Sequence, residues 1–144
     1  IIKACLRIGC APIAPNWLFE MTPVDFLATA VTKIADDPSH FGKVYNMVQQ
    51  DPVPADLVFS RMRTNGDVAE LVPLTDWKSR LQETADNEDD LELKLLEQSL
   101  DSVEGYLTDT SVYDISRFRE VMSRSRLKSP IVDVDYVTMF LRSL

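Results

Sequence analysis

The chain has 144 residues, 45% of them apolar and 26% charged. That is enough to bury one globular core and too apolar for a disordered chain. Its net charge of −8 disfavours general nucleic-acid binding. Two cysteines five residues apart and one histidine exclude a disulfide framework, a Cys/His metal site and a histidine triad. No apolar run approaches the ~20 residues of a membrane span, and no secretory leader is apparent. A reducing, cytoplasmic setting is expected, with no nucleic-acid or membrane partner.

The chain opens on Ile1 inside a helical pattern, Ile2, Cys5 and Leu6, with Gly9 as its stop. A domain seldom begins in mid-helix, so the natural polypeptide is expected to extend upstream, and the apolar ending at Leu144 suggests the same downstream. Pro12, Pro15 and Pro23 exclude a regular helix over 11–23 and predict an extended or looped stretch, with or without a short strand around Trp17–Met21. Leu27, Ala30, Val31 and Ile34 predict a helix, with the Asp25 carboxylate as its cap. Lys43–Val48 alternates and predicts a strand.

Pro52 and Pro54 open a helix through Leu57, Val58 and Met62 that stops at Asn65-Gly66. Glu70–Leu74 predicts a second strand. Thr75 or Asp76 then caps a helix carrying Trp77 and Leu81, and 84–90 reads as an acidic connection. Leu93, Leu96, Leu100 and Val103 mark an amphipathic helix. Asp114 precedes a helix with Ile115, Phe118 and Met122, Ser129-Pro130 breaks the chain, and Val137, Phe140, Leu141 and Leu144 mark the last helix. The expectation is a mostly α fold with a few short β-strands: five or six helices and two strands, forming one unit over 1–144.

Charge is patterned. Residues 83–104 hold nine acids, Asp89 among them, against Lys94, whereas 117–128 holds Arg117, Arg119, Arg124, Arg126 and Lys128 against Glu120. The basic stretch would suit an acidic carrier protein, a solvated helix face or the acidic helix of the same molecule. Catalytic signatures are missing. Gly9, Gly42, Gly66 and Gly105 lie too far apart for a phosphate loop, and no tyrosine is followed by a lysine four residues on.

Several ordered segments resemble one family. They are Ile2–Pro12, then Met21-Thr22-Pro23-Val24-Asp25-Phe26-Leu27-Ala28, then Gly42–Val48 with Pro52 after it. Gly66, Val72-Pro73-Leu74, Trp77 and Leu81 follow, and Ser129-Pro130-Ile131-Val132-Asp133 precedes the terminal helix. This resembles the C-terminal third of the thioester reductase domains of nonribosomal peptide and polyketide synthetases. They are extended short-chain dehydrogenases/reductases related to aminoadipate and carboxylic acid reductases. The resemblance implies a substrate-binding subdomain, 1–144, whose Rossmann half is missing from this sequence. That half would be its partner and would bring NADP(H) and the catalytic Tyr-x-x-x-Lys pair; no catalytic, cofactor or metal residue is expected here. The reaction implied for the parent is reduction of a thioester on a phosphopantetheinylated carrier protein to aldehyde or alcohol.

Trp17, Phe19 and Met21 are the candidate substrate-binding residues, lining an acyl or pantetheine tunnel; the alternative is packing under the sheet. Trp77 is expected in the core, Cys5 and Cys10 as buried small residues, and His40 as an exposed turn residue. A fragment would leave an apolar face bare at Ile1–Leu6 and Val44–Val48 and would self-associate through it. The rival function is a free-standing α-helical protein-interaction domain without catalysis; a piece of a fatty acyl-CoA reductase is a third reading.

Overall fold

The computed structural model describes residues 1–49, 51–88, 90–108 and 113–143. Asp89 of the acidic run and Leu144 of the terminal apolar stripe lie outside the described residues. The architecture is mostly α with short strands, as expected, but with more of both: seven α-helices and four strands among the described residues. They gather into two compact units.

The first unit starts with α1 (Ile2–Ile8), which buries Ala4 and Cys5 and ends at Gly9. Gly9 takes the left-handed conformation, φ 79°, where a side chain is strained. The chain then enters β1 (Cys10–Ile13). The same device recurs in α3 (Ala55–Asn65), which closes on Gly66 at φ 84° before β4 (Glu70–Pro73). The two strands pair in parallel, Cys10 opposite Glu70 and Ile13 opposite Pro73, and the Gly9 carbonyl accepts from Ala69 N at 2.9 Å. Between them, β2 (Leu18–Phe19) and β3 (Val53–Pro54) form a short antiparallel pair.

β4 runs straight into α4 (Leu74–Glu88), which packs along α5 (Leu91–Thr108). Lys78 Nζ reaches Glu104 Oε2 at 2.6 Å across that pair. Leu93, Leu100 and Leu107 are the fully buried part of the α5 stripe. α7 (Val134–Leu141) packs on α3, where Arg61 Nε donates to Thr138 Oγ1 at 2.6 Å. Trp77 and Leu81 lie in the core, as does Cys10.

The second unit is built on α2 (Val24–Ala35) and α6 (Ser116–Ser125). Phe26 and Phe118 meet edge-on with centroids 6.0 Å apart. Ala30 and Ile115 complete that core, and Ile34, Met47, Val48 and Met122 close around it. A 3-10 turn, Pro38–His40, follows α2. α6 ends on Arg126 in the left-handed conformation.

Several sequence expectations are corrected. Lys43–Val48 is not a strand. Among the described residues no strand pairs with it; Arg117 Nη1 donates to Val44 O at 3.4 Å, and the segment's own Asn46 Nδ2 donates to Asp114 O at 2.9 Å. Asp25 is not the cap of α2: the helix begins at Val24 after Pro23, and Asp25 Oδ1 accepts from Phe26 N within the first turn. The buried face of α2 is Phe26 and Ala30, and Val31 is 46% exposed. Thr75 and Asp76 sit inside α4, which begins at Leu74, and 84–88 continues that helix rather than linking two.

Candidate functional site

The three candidate residues fall in the two units separately: Trp17 and Phe19 in the first, Met21 in the second. Trp17 is 2% exposed. Its indole meets Phe59 and Trp77 edge-on, each with centroids 6.5 Å apart, and its carbonyl accepts from Ala55 N at 2.9 Å. Trp17 is therefore the centre of an aromatic cluster. Phe19 is half-buried at the cluster's margin, edge-on to Phe59 at 5.8 Å. The β2–β3 pairing holds it there: Phe19 lies opposite Val53. Met21 is half-buried in the stretch before Pro23. Of the three, Phe19 and Met21 present side-chain surface to solvent, and Trp17 positions Phe59, on which Phe19 packs.

Beneath this cluster sits Cys5. Burial pushes its thiol up to about 12. Among the described residues Trp77 Nε1 is buried without a regular hydrogen bond, and the Cys5 thiol is its polar neighbour. Cys5 and Cys10 are both free thiols, fully buried.

In the second unit the segment Ser129–Val132 lines a cavity of about 230 Å³ with Gln49 and Asp51. Gln49 organises it. Its Nε2 donates to Pro130 O at 3.1 Å, its Oε1 accepts from Ser129 Oγ at 2.8 Å, and its backbone N donates to Thr22 Oγ1 at 2.9 Å. One side chain thus satisfies two groups of the Ser129-Pro130 segment, and its backbone N ties the chain to Thr22, beside Met21. The periodicity of the sequence carries no signal for Gln49, because its partners lie 27 and 80 residues away.

The chain shares its fold with the crystal structure of the terminal R domain from the myxalamid PKS-NRPS biosynthetic pathway. The match has a TM-score of 0.78 and 28% identity and covers 99% of this chain and 36% of that one. The chain resembles the C-terminal part of a thioester reductase domain. Nonribosomal peptide synthetase asaC of Aspergillus flavus is 29% identical over 136 residues, 88% of this chain and 13% of that protein. Glycine betaine reductase ATRR of Emericella nidulans is 27% identical over 137 residues, 92% of this chain and 11% of that protein. The chain therefore spans about an eighth of the curated relatives' length. No family model matches it.

The reductase-like segments have definite structural tasks. Ile2–Pro12 is the α1–Gly9–β1 passage, and Val72-Pro73-Leu74 is the passage from β4 into α4. Ser129 and Pro130 are held by Gln49. Asp133 caps α7, its carboxylate accepting from Asp135 N and Tyr136 N at 3.1 and 3.0 Å.

A dinucleotide does not fit these residues. β1 leads into Ala14-Pro15 and β4 enters α4 directly at Leu74, so neither strand reaches a helix through a glycine-rich turn. No helix among the described residues is long and apolar enough to cross a membrane. His40 is not the exposed residue expected from its polar turn: its side chain is 11% exposed and its Nδ1 lies 2.6 Å from Tyr45 Oη.

Proposed function

We propose that this chain is the substrate-binding part of an NADPH-dependent thioester reductase that releases a carrier-bound acyl or peptidyl thioester as an aldehyde or alcohol. The observation that carries the reading is the likeness to an R domain over nearly the whole chain. The chain's own contribution is recognition rather than chemistry, since it holds no Tyr-x-x-x-Lys pair and no glycine-rich turn. Cofactor and proton transfer belong to the Rossmann part of the same reductase, and the phosphopantetheinylated carrier protein is the second partner. Phe19 and Met21 supply apolar surface of the kind that lines acyl sites. Trp17 and Gln49 hold the two segments rigid.

The test is to join the chain to a cofactor-binding reductase half and supply an acyl carrier protein with NADPH. The proposal expects aldehyde or alcohol, and NADPH oxidation, only when both halves are present. A cofactor half that is equally active without this chain overturns it, and so does a joined protein that folds, binds NADPH and leaves the thioester intact.

A further inference from the structure

A second cavity, of about 410 Å³, lies in the second unit between the turn after α2 and the outer face of α6. Its chemistry is unlike that of the aromatic cluster. Lys43, Arg117 and Arg124 line it, against one acid, Glu120. Arg124 Nη2 is paired with Glu120 Oε1 at 2.5 Å, whereas Arg117 makes only a long 3.4 Å bond to Val44 O among its hydrogen bonds and Lys43 makes no ion pair among the described residues. Lys43 and Arg117 therefore face the cavity without an ion pair among the described residues, although the Asp114 carboxylate acts on Arg117, and Asp37 on Arg124, at longer range. Arg117 and Arg124 stand seven residues, two turns, apart on one helix, and Lys43 comes from a separate segment.

The remaining wall is a positioned hydrogen-bonding pair. His40 Nδ1 and Tyr45 Oη are 2.6 Å apart, their rings meet edge-on at 5.6 Å, and His40 Nε2 faces Asp37 Oδ2 at 3.5 Å. In the neutral ring, a proton on Nε2 toward Asp37 leaves Nδ1 to accept from Tyr45 O–H. Asp37 is itself fixed: Ser39 N donates to its Oδ1 at 2.8 Å, and that bond holds its carboxyl below the usual range.

We propose that this cavity binds the phosphate group of a phosphate ester. Guanidinium and ammonium groups converging from two segments match the tetrahedral spread of phosphate oxygens. In a chain of net charge −8, a local cationic cavity selects a small compact anion over a polyanion. The inference rests on the cavity and not on the reductase reading. The ester would come from a carrier-borne phosphopantetheine or from a free phosphomonoester.

Isothermal titration calorimetry at low salt tests it with inorganic phosphate, glycerol 3-phosphate and 4′-phosphopantetheine, and with glycerol and pantetheine as controls. Both phosphate esters are expected to bind at least about tenfold more tightly than their dephosphorylated controls. The double variant Lys43→Gln/Arg117→Gln should lose at least about tenfold at an unchanged melting temperature, and Arg119→Gln, outside the cavity, should stay within about twofold. Phosphopantetheine binding far above glycerol phosphate assigns the carrier as source; equal binding assigns a free ester and leaves the carrier reading without this support. Pantetheine binding as well as phosphopantetheine overturns the proposal. So does a folded double variant that binds like the parent, or no phosphate probe binding at about 10 mM.

Discussion

Gln49 and Ser129 are eighty residues apart in sequence and joined by a 2.8 Å hydrogen bond from Ser129 Oγ to Gln49 Oε1. The same amide donates to Pro130 O, so a buried side chain holds the start of one of the reductase-like segments. Replacing Gln49 with Ala leaves the Pro130 carbonyl without its donor and is expected to cost about 1–3 kcal/mol. Gln49→Glu keeps the acceptor and removes the donor, so it should be as damaging at neutral pH. Urea unfolding checks both; a Gln49→Ala protein as stable as the parent contradicts the role assigned to this residue.

Asp133 lies in the same stretch of sequence and does a different job. Its carboxylate caps α7 through two backbone amides. Asp133→Ala is expected to destabilise the protein by about 1 kcal/mol, and Asp133→Asn or Ser by much less. The melting temperatures of the three variants measure this directly.

Cys5 should be chemically silent in the native protein. The thiolate is the nucleophile, and burial pushes this thiol up to about 12. Iodoacetamide at neutral pH should leave Cys5 unmodified until the protein is unfolded, when it should react at the ordinary thiol rate. Peptide mass mapping before and after denaturation reads the outcome; rapid alkylation of Cys5 in the folded protein contradicts its burial.

Three aspartates predict the acid limb of stability. Asp37, Asp90 and Asp114 are each held below the ordinary aspartate range, chiefly by backbone amides of Ser39, Leu93 and Ser116. Arg7 adds to the effect on Asp90, its Nη1 donating to Asp90 Oδ2. A depressed folded value means the unfolded chain binds protons first as pH falls. Their stabilisation is therefore complete above about pH 4, the unfolded aspartate range, and is lost as pH drops through the lower folded values. The melting temperature should fall below that point, and Asp→Asn at all three positions should flatten the fall. An unchanged acid limb in the triple variant contradicts the assignment.

Local chemistry made part of the fold legible. Gly9 and Gly66 were readable as helix stops because a left-handed residue after an apolar helical run has few alternatives. The α5 stripe was readable because its leucines repeat at helical spacing. β1 was hidden by Pro12, which is tolerated because each strand of a two-stranded pair has a free edge. The acidic end of α4 looked like a linker by charge, yet Ala85 within it is buried and α5 packs beside the helix. Lys43–Val48 has strand periodicity without a strand partner among the described residues, and Met47 and Val48 serve the α2–α6 core while Val44 stays exposed. Phe19 and Met21 were visible as apolar residues near prolines. His40 was missed because its turn is polar in sequence, whereas its burial comes from contacts such as the ring of Tyr45 five residues on.

The most direct test of the substrate-binding reading uses a ligand without phosphate, so that it is independent of the cationic cavity. The chain, with carbon-13-labelled methionine methyls and phenylalanine rings, is titrated with an acyl-pantetheine thioether that cannot react. The account predicts saturable shifts of Met21 and Phe19 that grow with acyl length. It also predicts that Phe19→Ala weakens binding by at least about tenfold, the loss of roughly one buried aromatic contact. Spectra unchanged at millimolar ligand, or shifts confined to residues remote from Phe19 and Met21, contradict it.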